Sequence, residues 1–211
     1  MSSQHQRAWV RQPSSRRLDL INPDPNAWED EDLSIGLSRA YRWGGHSVWE
    51  LPMSVAQHSL LVLALREQAS SDPLDRLTAL RELLHDAEEG LIGFDPISPL
   101  KPILGERFAQ LFERLTDAIF TRYQLSAWTV DKKRLHKQAD QLAAASEAVH
   151  VAGWHPDEVK NTLGISVAPL QDDPLVAIYG GKPWEPWPSR IAADRFLTVL
   201  KRLSVNIQQL A

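Results

Sequence analysis

Cysteine is absent from the 211-residue chain. That excludes disulfides and thiolate metal sites, so any metal here must be held by histidine, aspartate or glutamate. The absence agrees with a reducing compartment. Long hydrophobic runs are missing as well. Nothing approaches the roughly 20 consecutive apolar residues a membrane helix needs. The basic start, with Arg7, Arg11, Arg16 and Arg17, is not followed by the apolar stretch of a secretory signal. A cytoplasmic protein with no membrane partner is therefore expected. Neither sign of charge dominates: 23 Lys and Arg face 27 Asp and Glu, a formal net charge of −4. No overall basic field favours nucleic acid, and none is expected as a partner. Strand signals are nearly absent, which leaves an all-α class.

What is present suits one domain with appendages. Hydrophobic residues make up 43% of the chain, enough for a real core, and 24% is charged. Residues 1–28 read as a polar N-terminal arm, with a short strand around Leu18-Asp19-Leu20-Ile21 and turn material at Asn22-Pro23-Asp24-Pro25-Asn26. Residues 29–152 read as the helical core. Its helices are expected over Glu29–Trp43, Ser54–Gln68, Leu74–Leu91, Glu106–Tyr123 and Trp128–Val151, the last capped by Ser126. The proline-rich run from Gly93 to Pro102 is a stiff loop. Residues 153–211 read as an irregular segment, with a short helix near Asp157, followed by a helix from Ser189 to about Leu203. Trp184 and Trp187 have two readings there: a clasp packing the tail onto the bundle, or a lid or subunit contact near a bound ligand.

The stretch with most chemical content is Leu83-Leu84-His85-Asp86-Ala87-Glu88-Glu89-Gly90. A histidine and an aspartate stand side by side in an apolar helical pattern. Burying them is costly unless something satisfies them, and imidazole with carboxylate suits Mn, Fe, Co or Zn. Two further polar groups lie in apolar helical surroundings. His58 falls on a stripe with Leu61, Val62 and Leu65, and Asp140 sits among Ala139, Ala143 and Ala144. A helical bundle can bring His58, His85, Asp86 and Asp140 to one point, leaving positions on the ion for water and substrate. Glu89 is four residues after His85 and so one turn along the same face, where a carboxylate can hold or deprotonate a water. Glu88 points elsewhere and reads as surface. His136, four before Asp140, reads as a supporting or surface residue, and His150 and His155 as structural.

The ordered set resembles the HD-domain phosphohydrolase superfamily. It comprises Val55-Ala56-Gln57-His58-Ser59, then Leu84-His85-Asp86-Ala87-Glu88-Glu89, then Lys137-Gln138-Ala139-Asp140. It is most similar to the branch of bacterial 5′-deoxynucleotidases and deoxynucleotide triphosphohydrolases, through Arg42-Trp43, His85-Asp86-x-x-Glu89, and Asp95 followed by Pro99-Leu100-Lys101. The resemblance covers roughly residues 30–150. It implies an HD-domain helical bundle, an irregular C-terminal extension, and one divalent ion (Mn, Co, Zn, Fe or Mg) on His58, His85, Asp86 and Asp140.

It further implies that Glu89 and Asp95 are the catalytic acids, that Arg42 holds substrate phosphate, and that Trp43 packs near sugar or base. Lys101 would add a second positive charge. His46, in Gly44-Gly45-His46-Ser47, either reaches the phosphate or braces the loop. The implied activity is 5′-nucleotidase-like hydrolysis of a nucleotide phosphate ester. The alternatives are a deoxynucleoside triphosphate triphosphohydrolase and a non-catalytic module that binds a nucleotide. A homodimer is left open by the family.

Overall fold

The computed structural model describes residues 7–205. It is all-α, with nine helices among the described residues and one small hairpin. The expected arm is part of the fold. Strands β1 (Trp9–Arg11) and β2 (Arg17–Asp19) pair antiparallel with Val10 opposite Leu18. Leu18 and Trp28 are fully buried. The backbone N–H and hydroxyl of Ser14 both donate to the carboxylate of Asp32 at 2.6 Å, which pins the hairpin turn to the first helix. Residues 1–6 of the arm and the last residues of the tail, 206–211, lie outside the described residues.

Helix α1 (Asp30–Arg39) stops short of Trp43. Its C-cap Ala40 is extended, and a separate 3₁₀ turn, Arg42–Gly45, follows. Trp43 in that turn has φ 58°, a left-handed conformation a side chain rarely adopts without compensation. Helix α2 (Val55–Gln68) begins at its Ser54 N-cap, as expected. Every residue from Val55 to Arg66 is buried, so α2 is the central rod of the bundle and has no solvent face.

The expected helix over Leu74–Leu91 is broken into α3 (Arg76–Leu83) and α4 (Ala87–Ile92). Asp75 caps α3, its side chain accepting from the Thr78 N–H at 2.8 Å. Leu77, placed in the buried stripe by periodicity, is 41% exposed. The chain leaves helical geometry at Leu84 (φ −100°, ψ 15°) and Asp86 (φ −116°, ψ 25°). Helix α4 crosses α1 with glycine on both sides: a Cβ on Gly36 would stand 1.9 Å from the Gly90 carbonyl oxygen.

Helix α5 (Lys101–Tyr123) starts one turn before Glu106 and bends at Gly105, which has φ 73°. Helix α6 (Val130–His150) is capped by Thr129, whose hydroxyl accepts from the Lys132 N–H at 3.2 Å, and not by Ser126. The tail carries the short α7 (Pro156–Asn161) near Asp157 and an additional α8 (Pro174–Tyr179) capped by Asp173. The last helix, α9 (Ser189–Ser204), has Pro188 at its N-cap position in place of Ser189.

The tail belongs to the same core. Phe196 and Leu200 of α9 are fully buried in one hydrophobic cluster with Leu37, Leu61 and Leu80. Gln57 of α2 donates to the Glu185 carbonyl at 3.1 Å and accepts from the Trp187 N–H at 2.8 Å. Trp184 is buried and its ring stacks on His150 at 4.7 Å. The tryptophan segment is thus a clasp over the central helix. No described helix is long and apolar enough to cross a membrane.

Candidate functional site

The break between α3 and α4 builds the site. On a continuous helix, adjacent residues point about 100° apart, which splays His85 and Asp86. Here the chain turns out of the helix at Leu84–Asp86, and the two side chains converge. The His85 ring is fixed because Nδ1 donates to the Glu82 carbonyl at 2.8 Å. That leaves Nε2 with the lone pair. It lies 3.2 Å from an Asp86 Oδ2 and 3.2 Å from the Nε2 of His58.

His58 comes from the central helix and is fully buried. Its Nδ1 donates to Glu147 at 2.5 Å, which again leaves Nε2 aimed at the cluster. From that atom, Asp140 Oδ1 is 3.5 Å and Asp86 Oδ2 is 3.7 Å away. His58, His85 and Asp86 offer ligand atoms that all lie within 4.8 Å of one another, and Asp140 borders that group through His58. The structure thus draws the expected ligand residues together from α2, the α3–α4 break and α6.

Two imidazole lone pairs facing each other at 3.2 Å repel unless positive charge lies between them. One ion with nitrogen ligands at ~2.1 Å and ligand angles of about 90–109° places those nitrogens about 3.0–3.4 Å apart. The donor set fits a divalent ion. Without an ion, a proton takes that role. Burial and Arg42 push the His58 imidazole down, but Glu147 and Asp140 outweigh them and lift it to about 10. His85 is raised too: Asp86 prevails over the burial that disfavours its charge. Burial pushes the Asp86 and Asp140 carboxyls up, yet their histidine neighbours hold both well below the usual range. The pocket therefore favours positive charge, which protonated imidazoles or an ion can supply.

Around this centre the structure adds residues and reassigns others. Glu147 of α6, fully buried, is the largest omission of the sequence reading. Its Oε2 accepts from Arg42 Nε and from the Trp43 indole N–H, each at 3.2 Å, while Oε1 receives His58. Its signal was its place seven residues after Asp140, two turns along the same face. Arg42 and Trp43 were expected at substrate. The Trp43 indole N–H is instead committed to Glu147, and its ring packs on a small cluster with Ala145, Ala148 and Val159. Arg42 bridges Glu147 to Asp95 Oδ2 at 3.5 Å and keeps 16% of its side chain exposed.

Glu89 is 1% exposed, and its Oε2 is buried without a hydrogen-bond partner. Burial, then Asp86 and Asp95, raise its carboxyl to about 9 against the pull of Arg42 and of Lys101, whose Nζ is 3.7 Å from Oε1. Asp95 is raised as well, mainly by burial, with Arg42 opposing. Lys101 is exposed at the start of α5. His46 is exposed at the end of the 3₁₀ turn, and its ring makes no hydrogen bond among the described residues.

Glu88 is a correction. It is buried, hydrogen-bonded by the Thr116 hydroxyl, and raised to about 7, chiefly by burial. Its partner lies on α5, which helical periodicity within α4 does not reveal. His136 supports the site. Its ring lies 4.9 Å from that of His85, and its Nδ1 is 2.8 Å from Glu82, a buried acid also held by Arg66 at 2.9 Å. His150 donates from Nε2 to the Leu170 carbonyl at 2.7 Å, and His155 caps α7; both are structural.

Beside Asp95 opens a cleft of about 270 Å³. Tyr41, Gly44, Gly45, Gly93 and Phe94 contribute to its walls. Gly44, Gly45 and Gly93 all have positive φ, a conformation in which a side chain would be strained, so bare backbone forms this wall.

No family model matches the chain. It is similar to an uncharacterized protein of Rhodobacter capsulatus, 40% identical over 159 residues that make up 75% of this chain and 80% of that one. The two share a sequence along most of their length, and the chain belongs to the same family as that Rhodobacter capsulatus protein.

Proposed function

We propose that the chain is a metal-dependent phosphohydrolase of the HD-domain kind, acting on a phosphate ester of a (deoxy)nucleotide as a 5′-nucleotidase does. The observation that carries the reading is the pair of Nε2 atoms on His58 and His85 held 3.2 Å apart, with Asp86 and Asp140 beside them. The sequence order of those residues, and the acids at Glu89 and Asp95, support hydrolysis over simple ion storage.

A divalent ion bound there would supply Lewis acidity towards a phosphoryl oxygen and towards water. The chain's own groups divide the remaining work. Arg42 holds Glu147 and Asp95, so it positions His58 and one catalytic acid together. Glu89 becomes a carboxylate once positive charge is added beside Asp86, and then accepts the proton of the attacking water. The water oxygen bonds to phosphorus as the ester P–O bond breaks. Asp95, whose carboxyl is pushed above its ordinary value chiefly by burial, is the acid that gives a proton to the leaving oxygen. Lys101 and Arg42 offset phosphate charge. The cleft beside Asp95 seats the nucleoside, with Tyr41 and Phe94 as aromatic faces for a base.

The test is release of phosphate from a panel of nucleoside mono- and triphosphates with Mn, Co, Zn or Mg, beside an Asp86→Ala control. Phosphate from monophosphates, lost in the control, is the expected result. Release of triphosphate would select the triphosphohydrolase reading. No turnover from a protein that holds one metal per chain would overturn hydrolysis in favour of a binding module.

A further inference from the structure

A second charged site lies on the far side of His136 from the metal cluster. Arg81 of α3 is only 6% exposed, yet its guanidinium makes no hydrogen bond among the described residues. Nε and Nη1 are both buried and unpartnered. The group lies against two aromatic rings, 4.2 Å from the Phe120 centroid and 4.4 Å from that of Trp128. Cation–π contact accommodates its charge but leaves its hydrogen-bonding capacity unused. The adjacent acid cannot serve it, because the Glu82 carboxylate is spent on Arg66 and His136. A buried guanidinium with no acceptor is costly to keep.

Arg81 lines a pocket of about 60 Å³, together with Thr78, Ser126, Trp128 and Lys132. That is room for a few waters or one tetrahedral oxyanion, and not for a nucleoside. Lys132 Nζ reaches the Thr78 hydroxyl at 2.6 Å and Asp75 Oδ2 at 3.3 Å, so Asp75 takes part of its charge. Thr129, which also lines the pocket, is the N-cap of the 21-residue α6, so the positive end of a long helix dipole opens here. Two cations, the Ser126 hydroxyl and a helix start converge on a space sized for one anion.

We propose that this pocket binds a phosphate group, either free inorganic phosphate or the end of a phosphate monoester. The ligand places its oxygens on Arg81, Lys132 and the Ser126 hydroxyl, while the Thr78 hydroxyl, which donates to Asp75 at 2.6 Å, holds Lys132 in place. The site is independent of the metal cluster and of the activity proposed for it.

The test is calorimetric titration of the full chain, treated with chelator, with inorganic phosphate, with glycerol phosphate as a monoester, and with acetate. Wild type and Asp86→Asn are expected to bind phosphate alike. Lys132→Gln and Arg81→Lys are each expected to weaken it by at least about tenfold, the loss of one charge-assisted contact. Lys132 is half-exposed, so its replacement keeps the test intact if Arg81 variants do not fold. Tighter binding of phosphate than of glycerol phosphate assigns the free anion, and equal binding assigns the monoester end. The proposal is overturned by no phosphate binding, by binding unchanged in Lys132→Gln, by binding lost in Asp86→Asn, or by acetate binding as well as phosphate.

Discussion

Glu147→Gln tests the geometry that orients His58. Glu147 is fully buried and receives three donors: His58 Nδ1 at 2.5 Å, and Arg42 Nε and Trp43 Nε1 at 3.2 Å each. Glutamine has the same shape but only one oxygen. If that oxygen meets His58, the amide N–H groups face Arg42 and Trp43, donor against donor. If it is turned the other way, the amide donates to His58 Nδ1. The proton then moves to Nε2 and removes the lone pair from the cluster. Both arrangements break a buried charged network, a loss of about 3–5 kcal/mol when one partner goes. Arg42 keeps Asp95 at 3.5 Å, so the lower end applies. About 3 kcal/mol corresponds to a fall in Tm of roughly 6–12 °C for a chain of this size. Metal affinity, read by competition with a coloured chelator for Zn or Mn, is expected to drop about 10–100-fold, the usual effect of losing a partner that orients a ligand histidine. An unchanged Tm together with unchanged metal affinity would refute the role given to Glu147.

Two further perturbations probe the scaffold. Asp75 is held below its ordinary value of 3.8, chiefly by the Thr78 hydroxyl, with burial opposing and the Thr78 N–H and Lys132 assisting. Its cap therefore stabilises α3 above the unfolded-state value and loses that contribution as pH falls through the lower folded value. Asp75→Ala is expected to cost about 1 kcal/mol at neutral pH and nothing in strong acid; thermal melts giving a constant difference from pH 7 to about pH 2 would contradict this. Gly36→Ala places a methyl 1.9 Å from the Gly90 carbonyl oxygen and must part α1 from α4. A loss of about 3 kcal/mol, or roughly 6–12 °C in Tm, is expected, and a variant melting with the wild type would show the crossing to be looser than described.

Helix type and approximate bounds followed from local signals. The Ser54 cap, the apolar spacing in α5 and α6, and the proline-stiffened loop were all legible because each depends on neighbours within a turn or two. His58, His85, Asp86 and Asp140 stood out for a similar reason, as polar groups set into apolar helical surroundings. Short or interrupted elements were less legible. Six-residue α8 carries only an Asp173-Pro174 start, and β1 depends on a partner strand for its hydrogen bonds.

What the sequence by itself determined was the all-α class, the chemistry available without cysteine, and the residues able to ligate a metal. Only the tertiary structure decided how they meet. The break at Leu84–Asp86 turns two adjacent side chains to one point, where a regular helix splays them. Periodicity marked the His58 stripe of α2 but not that its other faces are buried as well, which only packing on all sides decided. Glu88 read as surface, and nothing local in the sequence marked Glu147 or Arg81 as buried. Their burial is imposed by partners far along the chain: Thr116 across α5, His58 on α2, and Trp128 before α6. Charge and spacing are local properties of a chain, but desolvation and the convergence of partners arise only when its segments pack.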